Sequence, residues 1–478
     1  MSYFAELLNY TLDPDVVAKF QQACGLKVVT ESEYLENSCS ERVTVSEDVT
    51  HQCSNGHVLN DYSNGKATPV SNGEIHNSYY QCTKSVQLDS EHLQNMANTE
   101  TEVTRLKHRN GFVQHENGSV ITSPLDVRDS LPAKVKAARK ACIIRTGTIP
   151  YRVENNFLYY VFSFGAGLGN GIFYILFYSF SYWNIDAVIT RKICLLWAIC
   201  MYFGQATKDI LRVPRPKSPP VVRLETRYEL EYGMPSTHAI CGTAIPFSLL
   251  IFTVERYQEY PLVLGVVVAC TWCLLVCLSR IYLGMHNILD VLVGVVFAVV
   301  MMFLIMPYLD VMDRFLLTNP MAPFFILSAP VIITFVYPKL DTWSTARGDT
   351  TGIVSICAGC YFGSWLNYAQ GFMSPSDILP PYPLTYLQVE VIVYSFIRLV
   401  VGLVQSVAGL YFLKFVTYAA LCYIFKLDSK DPKTKQKLIV ELPYKYITNF
   451  VVSFNTVYTT PLTFCLLGIQ RLSYYSEI

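Results

Sequence analysis

The chain has 478 residues, of which 52% are hydrophobic and only 15% are charged, and its formal net charge is zero. Soluble domains carry about 25% charged residues, so this composition excludes an ordinary soluble enzyme and indicates an integral membrane protein. The balanced charge gives no basic field, so we expect no nucleic-acid partner. Most of the 15 cysteines fall in apolar segments, where Cys packs as a small hydrophobe, which argues against a disulfide framework.

Residues 1–150 form a polar, turn-rich arm that we expect to be mostly disordered. An exception lies near 13–24, where Asp13 can cap a short amphipathic helix that begins with Pro14. The residues that would share its apolar face are Val16, Val17, Phe20 and Cys24. This helix is expected to dock on the membrane or on the body of the protein, or to stand alone. No cleavable signal peptide is visible, so the first apolar segment is expected to act as a signal anchor.

Apolar runs of roughly 17 to 24 residues follow the arm, long enough to cross the hydrocarbon core of a bilayer. They predict an all-α, polytopic membrane helix bundle of about nine spans. The predicted spans are 157–180, 191–207, 238–254, 261–278, 288–306, 323–338, 352–370, 390–414 and 446–468. The predicted domains are the arm at 1–150, a transmembrane core at 151–310 and additional transmembrane helices at 311–478.

Three polar clusters stand at the ends of these spans. The first runs from Lys208 to Pro216, at the end of the second span, and the second from Pro235 to His238, at the start of the third. The third runs from Ser279 to Asp290, between the fourth and fifth spans. Because two crossings separate the first two clusters from the third, all three emerge on the same face of the membrane and can form one site.

The residue types in these clusters suit a phosphate monoester. Phosphoryl transfer spreads negative charge over the phosphate oxygens, so fixed cations are needed. Lys208, Arg215 and Arg280 can supply them, the arginines as planar bidentate donors. Ser236 and Thr237, at the start of the third span, can add a hydroxyl and the backbone N–H groups of a helix N-terminus.

Two histidines can perform the chemistry. His286 and Asp290 are four residues apart and share a helix face, so Asp290 can orient the ring and leave its other nitrogen free to attack. His286 is the predicted nucleophile, forming a phosphohistidine, and His238 is the predicted general acid. Basic residues at span ends are often only interfacial anchors. However, six of the eight histidines lie in the arm, and the remaining two are His238 and His286. Both histidines outside the arm therefore fall within the polar clusters.

Sequence motifs for metal or cofactor binding do not accompany the clusters. There is no HExxH motif, no P-loop or dinucleotide fingerprint in a suitable context, and no Asp or Glu near the clusters beyond Asp209 and Asp290. We therefore expect neither a metal nor a cofactor.

At these residues the sequence resembles a known family. The patterns Lys208-x6-Arg215-Pro216, Pro235-Ser236-Thr237-His238 and Ser279-Arg280-x5-His286-x3-Asp290 look like the three-part signature of the type 2 phosphatidic acid phosphatases (PAP2), which vanadium haloperoxidases share. Within that family the chain is most similar to the sphingosine-1-phosphate phosphatases. Its stretches at 204–210, 218–222, 278–286, 340–350 and 441–448 look like theirs. Thr237, where the wider family has Gly, also resembles this branch.

The resemblance implies a PAP2-like catalytic core and a metal-independent enzyme of the endoplasmic reticulum membrane. Its partners would be a phosphorylated sphingoid lipid as substrate and the surrounding membrane lipids. Substrate selectivity is expected from the span surfaces and from a loop at 338–351, which contains Arg347-Gly348-Asp349. A phosphatase acting on phosphatidate or polyprenyl phosphates, and a non-enzymatic, transporter-like protein, stay open. The sequence gives no oligomeric state.

Two signals disagree on the membrane face of the site. Basic residues between Lys134 and Arg152 place the arm in the cytosol by the positive-inside rule. Two predicted spans separate the arm from the first cluster, and an even number of crossings returns the chain to the same face. The clusters would then lie in the cytosol as well. The family resemblance and the glycosylation sequons at Asn9 and Asn117 favour the lumen instead.

Overall fold

The computed structural model describes residues 2–29, 143–146, 149–340, 342–373, 380–383, 389–471 and 474–476. Most of the arm that we predict to be disordered, residues 30–142, lies outside the described residues. The described part is mostly helical. The all-α prediction omitted three short strands, β1 (Leu26–Val28), β2 (Ile143–Thr146) and β3 (Ile149–Val153).

Thirteen α-helices accompany these strands in the described residues. In chain order they are α1 (Ser2–Leu12), α2 (Pro14–Ala23), α3 (Asn156–Gly167), α4 (Gly171–Asn184), α5 (Ala187–Leu211), α6 (Thr237–Arg256), α7 (Leu262–Tyr282), α8 (Ile288–Thr318), α9 (Ala322–Val336), α10 (Thr345–Ala369), α11 (Val389–Ile424), α12 (Leu438–Phe454) and α13 (Thr460–Leu466). A π-helical turn, Asn455–Thr459, joins α12 to α13.

Five helices in the described part of the chain are long and apolar enough to cross a membrane, namely α5, α6, α7, α8 and α11. The pair α3 and α4 would add a sixth span, but it is bent by 62°. The predicted count of about nine is therefore not confirmed. The physical reasons are that α9 is short, that α10 contains Arg347 and Asp349 near its start, and that α12 contains Glu441 and Lys445. The five long apolar helices still indicate a multi-pass membrane protein.

Helix α5 forms the centre of the bundle. It packs against α6, α8 and α10, and most of its residues are buried. Its buried Arg191 forms an ion pair with Asp313 of α8, at 3.2 Å between Nη2 and Oδ2. The hydroxyl of Tyr361 in α10 donates to the same carboxylate. A buried charge must be paired in this way, because burial removes its hydration.

The sheet connects the N-terminal helices to the bundle. Its strand order is β1-β3-β2, with both pairs antiparallel and Leu26 opposite Val153. A left-handed residue, Gly25 (φ +83°), makes the turn from α2 into β1. A Cβ there would meet the Asn155 backbone nitrogen at 2.9 Å, so this close approach requires glycine.

Helix α2 lies where an amphipathic helix was predicted, and it docks on the body of the protein. Val17 is fully buried and belongs to a cluster with Val221 and Ile281. The Gln21 side chain donates to the carbonyls of Val222 (2.7 Å) and Tyr282 (2.8 Å) and accepts from the Val222 N–H (3.0 Å). The helix therefore holds the loop before α6 against the end of α7.

We predict that Gln21→Ala destabilises the fold by about 1–3 kcal/mol, because it leaves buried backbone groups unpaired. Thermal unfolding of the detergent-solubilised protein measures this as a lower Tm. The matched control is Gln22→Ala, since Gln22 is exposed on the same helix. Equal Tm values for the two variants would contradict the structural role of the Gln21 contacts.

Candidate active site

The three polar clusters meet at one cavity of about 320 Å³. Lys208 comes from the last turn of α5, and Arg215 from the loop that follows it. His238 belongs to the first turn of α6, and Arg280 to the last turn of α7. His286 lies between α7 and α8. The predicted site residues that line the cavity are Lys208, Arg215, Thr237, His238, Arg280 and His286.

Backbone contacts fix the helix ends that carry these residues. Ser236 is the N-cap of α6, and its hydroxyl accepts from the Ala239 N–H at 3.4 Å. The Ser236 N–H in turn donates to the carbonyl of Asp290 at 3.0 Å, which joins the starts of α6 and α8. A Cβ at Gly233 would lie 2.9 Å from the Asp290 carboxylate. The chain can approach α8 here only because position 233 is a glycine.

Lys208 is almost fully buried, and its charge is compensated within the site. Its Nζ lies 3.2 Å from Oε2 of Glu231 and 3.3 Å from the hydroxyl of Thr237. The Thr345 hydroxyl of α10 donates to the other carboxylate oxygen of Glu231. Burial opposes ionisation of Glu231, but Lys208 and the Thr345 hydrogen bond outweigh it and lower its pKa. Glu231 is therefore ionised at neutral pH.

Arg215 connects the loop to the nucleophile candidate. Its Nε donates to the Glu231 carbonyl at 2.8 Å, and its Nη1 donates to the Met285 carbonyl at 2.7 Å. The same Nη1 lies 3.3 Å from Nε2 of His286. Burial lowers the pKa of Arg215 to about 10, and Arg280 contributes to the shift. The guanidinium therefore keeps its charge at neutral pH.

Arg280 also lines the cavity, and its side chain is 1% exposed. Its Nη2 donates to Oε2 of Glu225 at 2.5 Å. Its Nε has no hydrogen-bond partner among the described residues. A buried guanidinium with an unused N–H group is suited to bind an anion, because an unpaired buried donor is unfavourable.

His286 and Asp290 are adjacent, but the hydrogen bond expected between them is not formed. Nδ1 of His286 lies 3.7 Å from Oδ2 of Asp290, longer than a hydrogen bond. Oδ2 of Asp290 instead accepts from the N–H of Asn287, the N-cap of α8, at 2.9 Å. Catalytic hydrogen bonds are often long before substrate binds.

The surroundings of His286 keep its ring uncharged. Burial, followed by the positive charges of Arg215 and Lys208, holds the pKa of His286 well below its ordinary value. A neutral imidazole has a free electron pair, which a nucleophile requires.

His238 is held from two sides. The ring of Tyr228 packs edge-on against it, with 5.7 Å between the centroids. On the other side lies the bend between α3 and α4, where a Cβ at Gly169 would come within 2.5 Å of Cδ2 of His238. The bend that interrupts the first predicted span therefore contributes a wall to the site.

The acidic residues of the site were missed by sequence reasoning. The prediction that only Asp209 and Asp290 lie near the clusters is wrong, because Glu231 binds Lys208 and Glu225 binds Arg280. Asp209 accepts from the Tyr337 hydroxyl at 2.8 Å. In the described ranges no group of three or more His, Cys, Asp and Glu side chains could hold a metal ion.

The segment predicted as a loop at 338–351 is helical from Thr345 onward. Arg347 donates to the Thr334 carbonyl at 3.1 Å, and Asp349 forms an ion pair with Lys445 of α12 at 2.9 Å. The Arg347-Gly348-Asp349 triplet therefore stabilises helix packing, although Asp349 also lines the cavity.

Comparison with known proteins places this site in a family. A model of the PAP2 superfamily matches residues 189–312. The rat protein named sphingosine-1-phosphate phosphatase 1 is 41% identical over 321 residues, which cover 67% of this chain and 74% of the relative. The human protein named sphingosine-1-phosphate phosphatase 2 is 38% identical over 346 residues, covering 70% and 85%. The chain belongs to the sphingosine-1-phosphate phosphatase family.

More distant relatives agree with this membership of the sphingosine-1-phosphate phosphatase family. A Schizosaccharomyces pombe protein named dihydrosphingosine 1-phosphate phosphatase is 27% identical over 361 residues, which cover 70% of this chain and 85% of the relative. No solved structure gives a significant match. The PAP2 match contains all eight predicted site residues, and α9 to α13 lie beyond it. The resemblance drawn from the motifs is confirmed.

We predict that Gly169→Ala lowers kcat by about tenfold or more, because a displacement of His238 by a fraction of an ångström would misalign the predicted general acid. Phosphate release from a lipid phosphomonoester measures this. Gly171→Ala is the matched control, since a Cβ at Gly171 meets nothing within 4 Å. An unchanged kcat in Gly169→Ala would contradict the contact between the bend and His238.

Proposed function

We propose that this chain is a membrane phosphatase that hydrolyses sphingosine-1-phosphate and related sphingoid base phosphates through a phosphohistidine intermediate. The names of the relatives support this substrate class. The observation that carries the proposal is a single cavity with a cationic end and apolar walls.

The cavity matches a lipid with a phosphate head. Its cationic end contains Lys208, Arg215 and Arg280. Its remaining walls come mostly from apolar side chains of α4, α5, α10, α11 and α12, among them Ile175, Trp197, Met201, Ile353, Ile356, Leu403, Val407, Leu410 and Val452. A hydrocarbon chain can occupy this part while the phosphate reaches the cations. A small water-soluble phosphate would leave the apolar walls unused.

We assign phosphate binding to five residues. Lys208, Arg215 and Arg280 would neutralise the phosphate oxygens, since all three are buried cations around one cavity. Thr237 would add its hydroxyl, which already lies 3.3 Å from Lys208 Nζ. Ser236 would act as the cap that exposes the first N–H groups of α6 to the anion.

In the first chemical step, Nε2 of His286 attacks phosphorus, forming a P–N bond as the P–O bond to the lipid breaks. His238, which is protonated when the negatively charged phosphate is bound, donates its proton to the leaving alkoxide. Asp290 lies on the Nδ1 side of His286 and would stabilise the ring as it becomes positively charged. Arg215, next to Nε2, would move its contact from the ring to the phosphate.

In the second step, water attacks the phosphohistidine. His238, now unprotonated, accepts a proton from the water, the P–N bond breaks, and inorganic phosphate leaves. His286 returns to its neutral state. Protons and bonds therefore balance over the cycle, and the protein residues alone perform both steps.

We further propose a nine-span protein of the endoplasmic reticulum membrane, surrounded by membrane lipids and without a nucleic-acid partner. Helices at all nine predicted positions support the span count, with α3 and α4 sharing one span and α12 and α13 another. The proposed domains remain an arm at 1–150, a catalytic core at 151–310 and further helices at 311–478. Contacts of α10 and α12 residues with the cavity support a role for the last domain in substrate binding.

We predict that the purified protein releases phosphate from sphingosine-1-phosphate in the presence of EDTA, because the proposed steps use no metal. His286→Ala should lower the rate by about 10³-fold or more, since the nucleophile is lost. Phosphatidate and a polyprenyl phosphate are the comparison substrates, measured under the same conditions.

Faster release from phosphatidate or the polyprenyl phosphate would keep the chemistry and change the substrate. No release from any of the three, with the protein shown to be folded by its unfolding transition, would favour a non-enzymatic, transporter-like protein.

A further inference from the structure

Three carboxylates line the cavity within the described ranges, namely Glu225, Glu231 and Asp349. A carboxylate beside a phosphate site needs a reason, because like charges repel. The three differ in the cations that they bind. This difference separates their roles.

Glu231 and Asp349 each have a partner that is not a proposed phosphate ligand. Glu231 is 3% exposed and is held by both Lys208 and the Thr345 hydroxyl, so it compensates the buried lysine. Asp349 pairs with Lys445, which is not one of the proposed phosphate ligands. Each of these carboxylates therefore keeps a partner when substrate enters.

Glu225 is in a different position. Its side chain is 25% exposed, and its partner is Arg280, which is 1% exposed. Arg280 is a proposed phosphate ligand, so an incoming phosphate takes over its guanidinium. The carboxylate of Glu225 then lies next to the negatively charged phosphate. It must also share the positive charge of Arg280 with that phosphate. Backbone pairing holds it there, because the Leu224 N–H donates to the Leu283 carbonyl at 3.1 Å.

A sphingoid base phosphate has the cation that this arrangement lacks. Its ammonium group is bonded to the carbon next to the phosphate ester carbon, so the two groups must lie side by side in any bound conformation. Phosphate on Arg280 and ammonium on Glu225 would give an alternating set of four charges. Phosphatidate carries an uncharged ester at the corresponding carbon, and its phosphate would meet Glu225 without compensation.

We infer that Glu225 binds the ammonium group of the substrate and thereby selects sphingoid base phosphates over other lipid phosphomonoesters. This inference rests on the proposed function and adds a specificity residue to it. Glu225 touches a part of the substrate that does not react, so its effect falls on substrate choice. An N-acylated analogue, which has no charge at this nitrogen, loses the interaction.

The test compares wild type with Glu225→Gln and Glu225→Asp in the purified full chain. The substrate is sphingosine-1-phosphate, and a short-chain N-acyl sphingosine-1-phosphate serves as competitor, so that it need not be hydrolysed. Glu225→Gln should lower kcat/KM for the substrate by about tenfold or more. The inhibition constant of the competitor should stay the same or fall, because its phosphate no longer meets an uncompensated carboxylate. Glu225→Asp, which keeps the charge, should recover part of the loss.

Glu229→Gln is the matched control, because Glu229 lies on the same loop, is 41% exposed and is 3.9 Å from Arg223. It should leave both quantities unchanged. Equal weakening of substrate and competitor in Glu225→Gln would mean that Glu225 only positions Arg280, and would overturn the assignment. Unchanged kcat/KM would overturn it as well. If wild type did not hydrolyse sphingosine-1-phosphate, the proposed function would fail first, and the assignment with it.

Discussion

The ion pair between Lys208 and Glu231 is the contact on which the rest of the site depends. An ammonium group that is 1% exposed at the end of an apolar helix is tolerable only with a partner. The carboxylate of Glu231 supplies the negative charge that Lys208 needs, and it also accepts a hydrogen bond from the Thr345 hydroxyl. The backbone carbonyl of Glu231 accepts a hydrogen bond from Nε of Arg215. One loop residue therefore holds the end of α5, the loop before α6 and the start of α10 together.

This dependence joins the PAP2 core to helices outside it. The family model ends at residue 312, whereas α10 contacts the site through Thr345 and lines the cavity with Asp349 and Gly352. Helix α2, near the N-terminus, also contacts the segments that carry site residues. Its Gln21 side chain donates to the carbonyls of Val222, in the loop before α6, and of Tyr282, at the end of α7. The cationic end of the cavity thus belongs to the core, and the later helices complete the apolar walls.

The convergence of the three clusters was predictable, because helices of span length return the chain to the same face after two crossings. The spacing of four residues predicted that His286 and Asp290 lie close together, but it wrongly placed both on one helix face, because α8 begins only at Ile288. It also could not show that Oδ2 of Asp290 would accept from the Asn287 N–H at the N-cap of α8. Glu225 and Glu231 were missed because acidic residues in a loop carry no periodic signal. Gly169 was missed because a bend inside an apolar run looks like continuous helix.

The most direct test of the histidine mechanism is to trap the intermediate. Purified protein is mixed briefly with radiolabelled sphingosine-1-phosphate, quenched in base, in which phosphohistidine survives, and digested for mass spectrometry. We expect acid-labile phosphate on the peptide that contains His286, and none in His286→Ala. Label on another residue, or turnover by His286→Ala at the wild-type rate, would contradict the proposed role of His286 and the account of the site built around it.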